Sequence, residues 1–134
     1  MDAQRQETLW AITLENYQAA RLSAQRGWHN VSVGRSYYAV YTAMWIVVDE
    51  PPSGQWSHPG IIQHFAPGRW RQPPAPIDRA QTRAIRTLYN ARLQADYSGG
   101  CLTPQDSTTG LTTAREILLL VAHTRGLPVG GITP

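Results

Sequence analysis

The sequence predicts an all-α fold: an antiparallel helical bundle of about four main helices plus a short helix in a long, proline-rich 49–76 connection. Three observations carry that expectation. Apolar residues recur at three- and four-residue intervals along four long segments, the spacing of one face of a helix. Seven of the ten prolines crowd into the stretch between Pro51 and Pro76 rather than interrupting those segments. No run alternates with the period of two that a half-buried strand requires.

Residues 3–26 hold no Gly or Pro, and Trp10, Leu14, Tyr17 and Ala24 share one helical face. Gly27 stands where a left-handed residue commonly ends a helix, and 28–30 reads as a short connection. A second helix is expected over 32–48, with Val33, Tyr37, Val40, Tyr41, Met44, Val47 and Val48 as a broad core stripe. A second line on it, Arg35, Tyr38, Thr42 and Trp45, lies well round the cylinder from Val33. Asp49-Glu50-Pro51-Pro52 breaks that helix. Ser57 can cap a short helix over 57–66, pinned by Ile61, Ile62 and Phe65, while 68–76 reads as a surface loop. A third main helix covers 77–97, with Ala84, Leu88, Ala91 and Ala95 on one face and Arg79, Arg83, Arg86 and Asn90 on another, and Ser98-Gly99-Gly100 ends it. Thr103-Pro104-Gln105-Asp106 starts the last helix, which runs to Arg125, with fraying expected at 107–110. The domain is thus 1–126, and 127–134 is expected to be a flexible tail.

At 134 residues, 42% apolar and 16% charged, the composition is that of one globular domain. The longest apolar run, 117–122, is far short of a membrane span, and the N-terminal segment has no basic stretch leading into an apolar one. The expectation is a soluble, cytoplasmic protein with no membrane contact. A single cysteine, Cys101, fits a reducing compartment. All twelve basic residues are arginine, which a GC-rich genome explains as readily as selection for phosphate.

Several chemistries are excluded by what is missing. There is no phosphate-cradling G-x-x-x-x-G-K-[ST] loop, no G-x-G-x-x-G and no G-x-S-x-G elbow. The four histidines, His29, His58, His64 and His123, never fall at ligand spacing with an acid nearby, so no metal and no cofactor are expected. What remains is a basic tract. Between residues 69 and 92 stand Arg69, Arg71, Arg79, Arg83, Arg86 and Arg92 against the single acid Asp78, a row that could follow a nucleic-acid backbone or simply be a solvated helix face.

Three blocks carry a more specific signal: Gly34-Arg35-Ser36-Tyr37-Tyr38-Ala39 on the second helix, Ser57-His58-Pro59-Gly60 at the short helix, and Arg92-Leu93-Gln94-Ala95-Asp96-Tyr97 at the end of the third. In order and spacing they resemble the HEPN superfamily (higher eukaryotes and prokaryotes nucleotide-binding), in its branch with R-[AS]-Y-Y-A and R-x-x-A-D-Y motifs. The resemblance implies a bundle that often forms a homodimer and is frequently encoded beside a nucleotidyltransferase antitoxin as a prokaryotic toxin–antitoxin or defence-type pair. Several members cut RNA without metal, using Arg followed after four to six residues by His. Arg35 holds the arginine place, but six residues on stands Thr42, and no other arginine here has a histidine four to six residues after it.

The resemblance with that signature missing points to a partner- or RNA-binding protein, with candidate contacts at Tyr38, Thr42, Trp45, Arg79, Arg83, Arg86, Arg92 and Asp96. The alternatives are an active metal-independent ribonuclease, with Arg35 supplying charge and His58 as substitute base, and a non-catalytic helical scaffold. Tyr37 and Tyr41 read as core aromatics, and Tyr38 and Trp45 as an interface that would bring two copies together, with cover by the proline-rich excursion after Glu50 as the serious alternative. Asp96 is the natural acidic partner for Arg35 if the third helix ends beside the start of the second.

Overall fold

A computed structural model describes residues 1–97 and 99–132. It contains α1 (Ala3–Gln25), α2 (His29–Val48), α3 (His58–Phe65), α4 (Arg79–Tyr97) and α5 (Pro104–Arg125), followed by a 3-10 turn at Gly130–Ile132. No strand occurs among the described residues, and the expected helical bundle is what the chain forms. No described helix is long and apolar enough to cross a membrane.

The helix ends follow from local chemistry. Asp2 accepts a hydrogen bond from the Arg5 amide, and Asp78 from that of Ala80, satisfying donors that have no partner inside the first turn. Ser57 caps α3 at the Gly60 amide, as its position predicts. Thr103 and Asp106 form a reciprocal capping box at the start of α5, and Gly126 closes that helix at φ 66°. α2 starts at His29, earlier than expected. The His29 ring meets the Ser107 hydroxyl at 2.7 Å, and the Asn30 amide clamps the Gly100 carbonyl and the Leu102 amide. This ties the first turn of α2 to the segment entering α5.

α2 is the central helix, packed against α1, α3, α4 and α5. Its expected core stripe is buried: Val33, Tyr37, Val40 and Met44 are inaccessible, meeting Ile61, Ile62 and Phe65 of α3, Ile85 and Leu88 of α4, and Ile117, Leu118 and Val121 of α5 in one cluster. Two local expectations are corrected. The stretch 107–110 is fully helical, because Ser107 and Gly110 are buried and a Cβ on Gly110 would come within 3.2 Å of Leu88. The 68–76 stretch is the expected surface loop, held by Trp70, which stacks on Phe65 with centroids 4.9 Å apart, and by Arg71, which donates to the Pro76 carbonyl. The segment after Gly126 packs back on α1, with Ile132 buried, Trp10 donating to the Pro128 carbonyl at 3.0 Å and Gln18 to that of Gly131. Ser98, the first residue of the expected terminator, and the last two residues of the expected tail lie outside the described residues.

Candidate functional site

The three sequence blocks that carry the family resemblance converge in space. Tyr38 from the first block accepts a hydrogen bond from Arg92 of the third at 2.9 Å, across 54 positions of sequence. His58 from the second block lies with its Nδ1 2.6 Å from the Tyr37 hydroxyl and stacks on Tyr89 of α4 with centroids 5.5 Å apart. The result is a packed aromatic cluster that joins α2, α3 and α4.

Arg92 is its centre. Only 7% of the residue is exposed, and its guanidinium lies over Tyr37 and Tyr38 at 5.5 and 5.0 Å from the ring centroids. Its Nε is 3.2 Å from Asp96 Oδ2 one helical turn on, an ion pair whose angle falls short of a hydrogen bond. Burial of an arginine needs such compensation, and ring faces, a phenol oxygen and a carboxylate together supply it. Arg92 is therefore not one of the surface arginines, a correction to the expected RNA-contacting set. Its position offered a signal, since it follows Ile85 by seven residues and Leu88 by four, on the buried face of α4.

The Tyr37–His58 pair decides what the histidine can do. Tyr37 is fully buried, and burial raises its pKa well above the ordinary value of 10.0, so it keeps its proton. Among the described residues His58 Nδ1 is the hydroxyl's hydrogen-bond partner, so Tyr37 donates there and the neutral ring carries its own proton on Nε2. Burial, and then the charge of Arg92, lower the His58 pKa below 6.5, which favours that neutral form. A histidine so held is a donor at Nε2, with its one lone pair engaged by the tyrosine. It is not poised as a general base. Tyr41 completes the cluster, donating to the Trp56 carbonyl at 2.6 Å.

The expected catalytic pair is not assembled. Arg35 is exposed and donates to Asn16 of α1 at 3.2 Å, whereas His58 sits with Tyr37 and Tyr89 towards α4. Arg35 and Asp96 do line one shallow concavity, with Asn30, Val31, Gly34 and Tyr38, as the meeting of the two helix ends predicts. The carboxylate nevertheless pairs with Arg92, not Arg35.

The second line of α2 is also corrected. Thr42 is buried against α1, its Oγ1 2.6 Å from that of Thr13. Trp45 is 7% exposed, bonded to Glu50 at 3.1 Å and covered by the Arg5 guanidinium. The start of the proline-rich connection and α1 together occupy this face, so neither residue is available to RNA or to a second copy. Of the four, Arg35 is exposed and Tyr38 half-buried.

The remaining candidates form a different surface. Arg79, Arg83 and Arg86 are all exposed, at i, i+4 and i+7 on α4, and none has an ion-pair or hydrogen-bond partner among the described residues. No known family model matches the chain, and no curated protein matches its sequence.

Proposed function

We propose that this chain is a HEPN-like helical domain that binds RNA through phosphate contacts and does not cut it, acting as the binding component of a toxin–antitoxin or defence-type module. The observation that carries RNA binding is the row of exposed, unpartnered arginines on α4, Arg79, Arg83 and Arg86. A guanidinium without an internal carboxylate keeps its full charge and its planar fork for an incoming phosphate. The family reading is supported by the meeting of the three motif blocks in one packed cluster through the Tyr38–Arg92 and Tyr37–His58 bonds.

Absence of cleavage is supported by three features of the site: Thr42 in place of the expected base, buried against Thr13; Arg35 apart from His58; and a His58 lone pair already engaged by Tyr37. Attack by a 2′-hydroxyl needs a base within reach of its proton, and none of these residues supplies one. The test is incubation of purified protein with a labelled RNA in EDTA, followed by native and denaturing gels. The expected result is a retarded complex of intact RNA. Cleavage that persists in EDTA and disappears in His58→Gln would overturn the reading in favour of a metal-independent ribonuclease.

A further inference from the structure

The arginine row continues into a feature that phosphate binding alone does not use. Arg79, Arg83, Arg86, Asn90 and Tyr97 stand at i, i+4, i+7, i+11 and i+18 of α4, and eighteen residues are five whole turns, so all five lie along one face. Each is exposed, and Tyr97, at 75%, is the most accessible large hydrophobic side chain among the described residues. Tyr97 therefore offers an open aromatic face at the end of the arginine row.

From this arrangement we infer that the RNA bound by α4 is single-stranded, its phosphates following Arg79, Arg83 and Arg86 and a base near one end stacking on the Tyr97 ring. The inference rests on the RNA-binding reading above and specifies its ligand. The face is roughly 27 Å long at 1.5 Å per residue, long enough for several nucleotides of a strand. The arginines rise by about 6 and 4.5 Å from one to the next, steps that successive phosphates of a strand can meet. A protruding aromatic at the end of a cationic track is the arrangement that captures unpaired bases, since every base has a π face and a duplex hides it. Duplex RNA would gain less here, because its deep, narrow major groove does not admit a helix.

Fluorescence anisotropy with a labelled ten-nucleotide oligo(A), and with a ten-base-pair RNA duplex at the same salt, tests the inference. The wild type should bind the single strand more tightly. Tyr97→Ala should weaken oligo(A) binding about tenfold, within the range for loss of one base–aromatic stack, while Tyr97→Phe retains it and duplex binding does not change. Because Tyr97 is exposed at a helix end, circular dichroism of both variants should match the wild type. Oligo(A) affinity that is unchanged in Tyr97→Ala, or duplex binding as tight as single-strand binding, would overturn the inference and leave RNA binding standing. Binding to neither RNA would overturn both, and would assign the face to a protein partner.

Discussion

Replacing Arg92 by methionine tests whether the packing of α2 against α4 is held by a buried guanidinium. Methionine keeps an unbranched stem in the same space and deletes the charge, so packing changes little and the polar contacts are lost. Those are the bond to the Tyr38 hydroxyl at 2.9 Å, the Asp96 pair at 3.2 Å, and two ring contacts. A hydrogen bond involving a charged group contributes about 1.5–3 kcal/mol, and a cation–π contact about 1 kcal/mol. Relief from burying the guanidinium offsets part of that sum. Asp96 is 44% exposed and Tyr38 half-buried, so both can turn to water once Arg92 is gone. The loss should therefore stay below the roughly 3–5 kcal/mol seen when a fully buried pair is broken.

We expect Arg92→Met to cost about 2 kcal/mol, which lowers the urea midpoint by about 1 M at an ordinary denaturant dependence. Tyr38→Phe, measured in the wild-type and Arg92→Met backgrounds, should show a coupling of about 1 kcal/mol. An unchanged midpoint, or strictly additive substitutions, would refute the role given to Arg92.

Other expectations follow from neighbouring contacts. Because the His58 pKa is depressed in the folded protein, the folded state prefers the neutral ring: this contribution to stability is full above 6.5 and is lost as pH falls through the depressed value. His58→Gln should flatten that acid limb in a series of urea melts, and an identical pH dependence would contradict the assignment. Thr42→Val should cost about 1 kcal/mol, and the joint change with Thr13→Val little more, since the two hydroxyls serve each other; fully additive losses would count against the pairing. Trp45→Glu should cost at least about 3 kcal/mol by emptying a buried aromatic site beside Glu50. A variant that melts like the wild type and only changes its sedimentation would show that Trp45 meets a second chain after all.

Much of the fold is legible because helix ends depend on neighbours in sequence. Ser57 before Pro59, Gly27 after Arg26 and the Thr103-Pro104-Gln105-Asp106 start each act within one turn, and each performs the predicted role. What sequence could not convey is which face of α2 another element covers. Spacing places Thr42 and Trp45 on a second line, but only the packing of α1, and the return of Glu50, shows that line to be interior. The same holds after Gly126, where one isoleucine among glycines and prolines has no periodicity, yet Ile132 is buried because Trp10 and Gln18 hold its neighbours' carbonyls. Stretch 107–110 was misleading for a related reason, since its poor intrinsic propensity is overridden by the His29–Ser107 bond and by close approach at Gly110. In the site, the motif blocks were readable one by one. The Tyr37–His58 bond and the stacking on Tyr89 join three helices, and no spacing rule along one helix could have announced them.

The central claim is phosphate-directed binding of RNA by the α4 arginines, and salt dependence tests it most directly. If Arg79, Arg83 and Arg86 each neutralise one phosphate of a single strand, the logarithm of affinity should fall with the logarithm of salt concentration at a slope of about −2. In Arg79→Gln/Arg83→Gln/Arg86→Gln, a triple change confined to exposed positions, the protein should stay folded, the low-salt affinity should drop and the slope should approach zero. Wild-type affinity that does not respond to salt, or a triple variant with an unchanged slope, would contradict the claim.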